Sequence, residues 1–343
     1  MYLPPVAWPV WLVHYVALEV SLLATATGLA AVALSDHPTV RVVGAISALG
    51  GLLPGLAAIP VFVREGQRFS PLAWVTGGTT APAPVEQDVE LAPGLVADVY
   101  RPTGSGPSPF VMVVHGGSWR AGDKGEAPTV SRALAAAGYV VFDVRYRLAP
   151  DAPFPAAIAD VRCALGGVAT RAAEWRVDPT RGALLGRSAG AQIALVAAYS
   201  DARLTPDCGA PPLRAVVSLY GPTDMVWDHA NPFVPDVVDG TAALEVYLGG
   251  PPSAVPDAYR LATPTTWLDH PVPPTLLIHG TAERCVRPEN AERLRAALTG
   301  AGQSVRVLTI PFADHGFDLR PGGFGEQLSR GAILRFLNDH LSS

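Results

Sequence analysis

The sequence predicts an α/β fold, a mostly parallel sheet with helices on both faces, preceded by a two-helix membrane hairpin. From residue 85 onward, short apolar runs alternate with Ala- and Leu-rich stretches of helical character. These short runs are almost continuously apolar, which is typical of strands buried on both faces. Before residue 70, by contrast, two long runs carry almost no charge.

The N-terminal runs cover residues 6–34 and 42–63, and each exceeds the roughly 20 apolar residues that cross a bilayer. The second run has no charged residue, and the first is interrupted only by His14 and Glu19. A signal peptide is one rival interpretation, but no Lys or Arg precedes His14. A buried soluble hairpin is the other. We predict a membrane anchor over residues 1–70, which makes membrane lipid a partner and could carry a homo-oligomer contact.

A linker is predicted over residues 71–84, because Gly, Thr, Ala and Pro dominate its second half. Arg41 lies between the two runs, whereas Arg64 and Arg68 follow the second. Positive charges favour the cytoplasmic side of a membrane. This balance predicts an integral membrane protein with a cytoplasmic catalytic domain.

Charge and cysteine content narrow the partners and the compartment. The net charge of -5 gives no basic surface, so nucleic acid is not expected as a partner. The three cysteines, Cys163, Cys208 and Cys285, are widely spaced and odd in number. They predict neither a metal site nor a disulfide framework, which fits a reducing compartment.

Residues 85–343 are predicted to form one catalytic domain, with a cap insertion over residues 224–266. In open α/β sheets, ligands bind at the carboxyl ends of the strands, so the residues after each strand carry function. Strands are expected at residues 96–100, 110–114, 139–144, 183–185, 215–219, 275–278 and 305–310, and helices at 129–137, 156–170, 189–198 and 289–298.

The motif Gly186-Arg187-Ser188-Ala189-Gly190 follows one predicted strand and precedes an Ala-rich helix. A G-x-S-x-G pattern alone is a weak signal, since Gly and Ser are common. Between a strand and a helix it indicates the nucleophile elbow of an α/β-hydrolase fold. Ser188 is therefore the predicted nucleophile.

The loop that begins at His115 follows another predicted strand and has the HGG form that donates backbone N–H groups to an oxyanion. A simple tight turn would explain its glycines but not the His and Trp around them. We expect the oxyanion hole to comprise Gly116, Gly117 and Ser118, completed by Ala189 after the nucleophile. His115 itself is expected to shape the loop.

The base and the acid are predicted from chain order, which in this fold is Ser, acid, His. Only His315 and His340 follow the predicted acid loop, and His340 lies near the chain end. His315 is therefore the predicted base. Glu283 follows the strand at 275–278 and is the predicted acid, with Asp314 the weaker candidate. His279 precedes the acid and is expected to be structural.

Several motifs together resemble the esterase/lipase branch of the α/β hydrolases. The chain from about residue 85 is similar to hormone-sensitive-lipase-like enzymes, and to bacterial feruloyl-esterase-like and kynurenine-formamidase-like hydrolases. This family usually has Asp where the chain has Glu283, and often Gly in place of Ser118. The motifs are HGGSWRAGDK at residues 115–124, YRLAPDAPFP at 146–155, GRSAG at 186–190, YGP at 220–222 and HGT at 279–281.

The predicted activity is a serine carboxylesterase that works through an acyl-enzyme, with no metal or cofactor. Trp119, Trp227, Phe233 and Tyr247 are aromatic candidates for contact with a small-molecule or lipid ester, although each could equally belong to the core. Amide hydrolysis and a catalytically silent, binding fold remain alternatives.

Overall fold

The computed structural model describes residues 21–78, 83–104, 106–236 and 238–342. An eight-stranded sheet runs in the order β1-β2-β4-β3-β5-β6-β7-β8. The pairs β1–β2 and β2–β4 are antiparallel and the other five pairs are parallel, which confirms the mostly parallel sheet. The strands are β1 (Val85–Ala92), β2 (Leu95–Tyr100), β3 (Ser108–Val114), β4 (Val140–Val144), β5 (Val177–Arg187), β6 (Leu213–Leu219), β7 (Thr275–Gly280) and β8 (Val305–Ile310).

The helices lie on both faces of this sheet and in the N-terminal hairpin. They are α1 (Ser21–Leu34), α2 (Pro38–Arg64), α3 (Pro71–Thr76), α4 (Pro128–Ala136), α5 (Ala156–Thr170), α6 (Ala172–Trp175), α7 (Ala189–Tyr199), α8 (Met225–Ala230), α9 (Gly240–Leu248), α10 (Pro256–Ala262), α11 (Glu289–Gly300) and α12 (Phe324–Leu341), with a 3₁₀ helix at Pro264–Trp267.

The sheet separates two apolar cores, one on each face. Phe110 and Met112 of β3 belong to the core that contains α5 and α7. Val111 and Val113, the alternate residues, belong to the opposite core, against α4 and α12. Successive strand side chains point to opposite faces, so an uninterrupted apolar strand fills both cores.

Strand β1 was not predicted. It lies at the sheet edge, where Glu86, Gln87 and Asp88 are exposed. An edge strand pairs on one side only, and its polar side chains mask the apolar run that identifies the inner strands.

Helices α1 and α2 pack together through small residues. A Cβ atom on Gly28 would lie 2.4 Å from the carbonyl oxygen of Gly44, and one on Gly51 would lie 2.5 Å from that of Ser21. Helix α2, with 27 residues that include an 18-residue stretch of mean hydropathy 2.0, is the one described helix long and apolar enough to cross a membrane. Residues 6–20 of the first predicted span lie outside the described part of the chain.

The segment predicted as a linker is partly a packed helix. Trp74 of α3 is buried, and the ring of Phe69 stacks on that of Phe324 with centroids 4.3 Å apart. The backbone N–H of Ser70 donates to Gln327 Oε1 at 2.8 Å. Residues 71–78 are therefore not a free linker, while residues 79–82 lie outside the description.

The end of α2 continues into the α/β domain. Val61 and Phe62 are buried in the core beneath the sheet. Glu65, just after the helix, forms ion pairs with Arg306 and Arg335. The hairpin and the domain thus share one core, which the apolar composition of the hairpin did not reveal.

The expectation of no disulfide was wrong. Cys163 of α5 is bonded to Cys208, which is 45 residues further along the chain. Such a separation carries no local signal, and the loop after α7 has to fold back onto α5 before the two thiols meet. Cys285 lies outside this bond.

Candidate active site

The turn after β5 holds Ser188 in a strained conformation. Its φ of 52° and ψ of -124° fall in a region that L-residues rarely adopt. A Cβ atom on Gly186 would lie 2.2 Å from the carbonyl oxygen of Gly190, and one on Gly190 would lie 2.1 Å from that of His115. Both glycines are therefore required, and the strand–turn–helix context of the motif is as predicted.

The loop after β3 lies against this turn. A Cβ atom on Gly116 would come within 3.3 Å of Ser188 Cβ. Gly117, Ser118 and Trp119 all have positive φ, at 112°, 52° and 58°. Turns with such left-handed residues can gather backbone N–H groups into a concavity that binds anions.

The predicted oxyanion donors are backbone N–H groups without a backbone hydrogen-bond acceptor among the described residues. The backbone N–H groups of Gly117, Ser118 and Ala189 make no hydrogen bond to the backbone of any described residue. Such groups, held beside Ser188, can donate hydrogen bonds that stabilise the negative charge developing on a carbonyl oxygen.

His115 shapes the loop, as expected. It is buried, its Nδ1 lies 2.8 Å from the carbonyl oxygen of Gly116, and its ring stacks on Tyr146 with centroids 4.1 Å apart. Burial lowers the pKa of His115, so the ring is neutral at pH 7.

Glu283 and His315 meet at the carboxyl ends of β7 and β8. His315 Nδ1 lies 3.0 and 3.1 Å from the two carboxylate oxygens of Glu283. Glu283 Oε1 also accepts the N–H groups of Cys285 at 2.7 Å and Val286 at 3.1 Å. The acid is therefore fixed by its own loop while it binds the imidazole.

The electrostatics of this pair favour the ionised carboxylate. Burial alone would raise the pKa of Glu283, but His315, together with His279 and the N–H of Cys285, outweighs burial and the pKa is lowered. Burial alone would lower the pKa of His315, but Glu283, with smaller contributions from Asp314 and Asp318, outweighs burial and the pKa is raised. A carboxylate in this position fixes the imidazole tautomer, with the proton on Nδ1 and Nε2 available as a base.

Asp314, the weaker candidate for the acid, and His279, expected to be structural, have other contacts. Asp314 Oδ1 accepts the N–H groups of Arg284 at 2.9 Å and of His315 at 2.7 Å, so it binds the backbone of the base and not its ring. His279 Nε2 lies 3.0 Å from the carbonyl oxygen of Val286. His279 therefore stabilises the loop that carries Glu283 through a hydrogen bond to its backbone.

Ser188 and His315 line one cavity of about 380 Å³. No hydrogen bond joins their side chains in the described structure, a geometry that often tightens only when substrate binds. Residues 228–244 of the predicted cap supply one wall. The wall residues are Asp228, Asn231, Pro232, Phe233, Asp236, Val238, Gly240, Thr241, Ala243 and Leu244.

Two of the four aromatic candidates line the cavity, Trp119 and Phe233. Tyr247 is buried behind Trp119, and the two rings stack with centroids 4.8 Å apart. Trp227 lies beneath the guanidinium of Arg293, 4.9 Å from ring centroid to Cζ. Tyr247 and Trp227, also predicted to contact substrate, do not line this cavity, since the packing of the cap helices turns both rings away.

Several charged lining residues were missed by the sequence analysis. Burial raises the pKa of Asp143 to about 6 and that of Asp228 to about 7. A single Asp inside the apolar strand β4 was the available signal for Asp143. No local pattern marked the others, because the cavity collects them from separate elements. The missed charged residues are Glu126, Asp143, Arg187, Asp228, Asp236 and Arg287.

Glu283, Cys285 and His315 place one possible metal-ligand atom each within 4.8 Å of one another. The carboxylate oxygens already accept the imidazole and two backbone N–H groups. The acid–base pair accounts for this cluster without an ion.

The sheet order, the strained serine after β5 and the Glu–His pair after β7 and β8 are the features of an α/β-hydrolase fold. The BD-FAE family model matches residues 97–298. The chain belongs to this family of esterases and lipases.

Curated relatives agree with that assignment, and a solved structure agrees with the fold. The chain is 31% identical over 262 residues to Esterase LipC of Mycobacterium tuberculosis, covering 72% of this chain and 62% of LipC. It is 33% identical over 219 residues to Carboxylesterase NlhH of the same organism, covering 61% of this chain and 66% of NlhH. The match thus covers less than two thirds of the length of each of these relatives. A structure described as a bacterial heroin esterase superposes with a TM-score of 0.66 at 23% identity, covering 85% of this chain and 93% of that one.

Proposed function

We propose that the protein is a serine carboxylesterase with Ser188 as nucleophile, His315 as base and Glu283 as acid. The observation that carries the proposal is the pairing of His315 with Glu283 beside a cavity that also contains the strained Ser188. The esterase names of LipC and NlhH support the choice of an ester bond.

The reaction proceeds by two acyl transfers. His315 Nε2 takes the hydroxyl proton of Ser188 while Oγ attacks the ester carbonyl, and the resulting oxyanion binds the N–H groups of Gly117, Ser118 and Ala189. The imidazolium, stabilised by Glu283, then gives its proton to the leaving alcohol. Water repeats the sequence on the acyl-enzyme and releases the acid.

Cavity size indicates the class of ester. A volume of about 380 Å³ lies at the small end of the range of roughly 300–1,000 Å³ for ligand pockets. Trp119 and Phe233 give part of the lining an apolar character. We therefore infer that short acyl groups are accepted and that long acyl chains extend beyond the enclosed space.

An ester panel tests this proposal. With p-nitrophenyl acetate, butyrate and palmitate in detergent, we expect kcat/KM to be highest for acetate or butyrate and lowest for palmitate. The matched p-nitroanilides measure amide hydrolysis in parallel. Hydrolysis of anilides at rates equal to or above those of the esters would replace the carboxylesterase assignment with an amidase.

We further propose that α2 anchors the enzyme in a membrane. Large apolar side chains along α2 face outward from the protein, and Ile46, Leu49 and Val63 are 66%, 65% and 72% exposed. Helix α2 continues into the core of the domain through Val61 and Phe62. The anchor therefore holds the domain close to the membrane, where esters that partition into lipid are concentrated.

Two features of the chain give opposite indications of the side of the membrane on which the catalytic domain lies. The charge balance that predicts a cytoplasmic domain depends on one residue, whereas the Cys163–Cys208 disulfide favours an oxidising compartment. We give the disulfide more weight and infer an extracytoplasmic domain. Val234, which is 94% exposed, provides a reporter position in the cap.

In intact cells, a Val234→Cys variant in a Cys285→Ser background should react with a membrane-impermeant maleimide. The protein should also remain in the membrane pellet at alkaline pH and require detergent for release. The Cys285→Ser parent is the control for background labelling. Labelling that appears only after lysis would show that the domain is cytoplasmic and that the inferred location is wrong.

A further inference from the structure

A buried ion pair connects the nucleophile turn with the loop of the base. Arg187, which directly precedes Ser188, places Nε 2.5 Å from Asp318 Oδ2. Asp318 lies three residues after His315. The side chains of Arg187 and Asp318 are 7% and 0% exposed, so water does not screen this pair.

The second oxygen of Asp318 binds a third strand end. The hydroxyl of Tyr220, which directly follows β6, donates to Asp318 Oδ1 at 2.6 Å. Burial and then Asp318 raise the pKa of Tyr220 well above its usual range, so the phenol stays protonated and acts as the donor. One carboxylate therefore joins the carboxyl ends of β5 and β6 to the loop after β8.

Tyr220 also contacts the base directly. Its ring lies against the imidazole of His315, with centroids 4.3 Å apart and planes tilted by 57°. Its backbone N–H donates to the carbonyl oxygen of Ile278 at 2.8 Å, while the N–H of Ser188 donates to that of Leu219 at 3.0 Å. The phenol therefore cannot shift without moving either the imidazole or the strand ends that hold the nucleophile.

The energetics of buried ion pairs favour a positional role for Arg187, Asp318 and Tyr220. A buried ion pair is often no more stabilising than apolar side chains of equal volume, because desolvation offsets the attraction. Apolar side chains could fill the space of Arg187, Asp318 and Tyr220 with equal stability, so packing does not explain why these three residues are polar. The distance and angle between Ser188 and His315 do call for a rigid connection, since a displacement of about 1 Å can lower turnover about 100-fold.

We propose that Asp318 is a positioning residue that fixes His315 relative to Ser188 by binding Arg187 and Tyr220 together. The proposal rests on the esterase mechanism above but concerns residues outside its triad and oxyanion hole. It also gives Arg187, the variable position of the G-x-S-x-G motif, a defined role in this chain.

Asp318 acts on the base electrostatically as well as sterically. Burial lowers the pKa of His315, and Glu283 raises it most, with smaller contributions from Asp314 and Asp318. Loss of the Asp318 charge should therefore lower the pKa of the base. The titratable or charged groups that face His315 are Glu283, Asp314, Asp318, His279, Cys285 and Tyr220.

The test is the full-length Asp318→Asn variant, which keeps the shape and removes the charge. We expect kcat to fall about 10- to 100-fold with KM nearly unchanged. The base must be neutral to act, so a lower pKa moves the acidic limb of the kcat/KM profile to lower pH. A carboxylate–guanidinium pair outside the site, Asp160 with Arg147, offers the matched control. Asp160→Asn should lose stability without either kinetic change.

Tyr220→Phe keeps the ring and removes only the hydrogen bond to Asp318. It provides a second test if Asp318→Asn does not fold. Its kcat should fall several-fold at constant KM. Wild-type kcat and an unmoved acidic limb in folded Asp318→Asn, or wild-type kcat in Tyr220→Phe, would overturn the proposal. Labelling of Ser188 by a fluorophosphonate tests the esterase mechanism separately, because Asp318→Asn should still be labelled, only more slowly.

Discussion

Replacement of Ser188 by Ala should abolish ester hydrolysis and fluorophosphonate labelling while the fold remains intact. Loss of the nucleophile of a serine hydrolase lowers kcat by about 10⁶-fold. Alanine removes the attacking Oγ and leaves the backbone turn, the Glu283–His315 pair and the cavity in place. The measurement is the steady-state rate on p-nitrophenyl butyrate, with circular dichroism and thermal unfolding to check the fold.

Ser329 provides the control for that substitution. It is a buried serine in α12 whose hydroxyl donates to the carbonyl oxygen of Gly325 at 2.7 Å. Ser329→Ala should keep full activity and complete labelling. If Ser188→Ala turned over near the wild-type rate, Ser188 would not be the nucleophile and no acyl-enzyme would form on it.

The parts of the site that follow from local backbone could be predicted from sequence. A serine between two glycines, after an apolar strand and before a helix, has few other conformations, so Ser188 was identified from the residues around it. His315 and Glu283 follow strand ends in the chain order of the fold, and the structure brings them into contact. These signals lie within a few residues of the side chains they concern.

Features that depend on packing between distant segments could not be predicted. Whether Trp227 and Tyr247 face the cavity depends on how the cap helices pack, and both rings point elsewhere. The contact of Asp318 with Arg187 spans 131 residues. The docking of Trp74 against the guanidinium of Arg320, 4.8 Å from its ring centroid, likewise needs the folded C-terminal loop.

The identity of the acid is tested by comparing Glu283→Gln with Asp314→Asn. Glu283 contacts the imidazole through both oxygens, whereas Asp314 binds only backbone N–H groups. We expect Glu283→Gln to lower kcat by about 10⁴-fold, since an amide cannot hold the reactive tautomer or stabilise the imidazolium. Asp314→Asn should lower kcat by less than about 10-fold.

The pH dependence separates these two variants further. Among the groups that raise the pKa of His315 against burial, Glu283 contributes more than Asp314. Because only neutral His315 accepts the serine proton, loss of Glu283 should move the acidic limb of kcat/KM further to lower pH than loss of Asp314. Glu283→Asp keeps the charge on a shorter side chain and should recover part of the activity. If Asp314→Asn loses more activity than Glu283→Gln, or if only Asp314→Asn shifts the acidic limb, the acid of this site is Asp314.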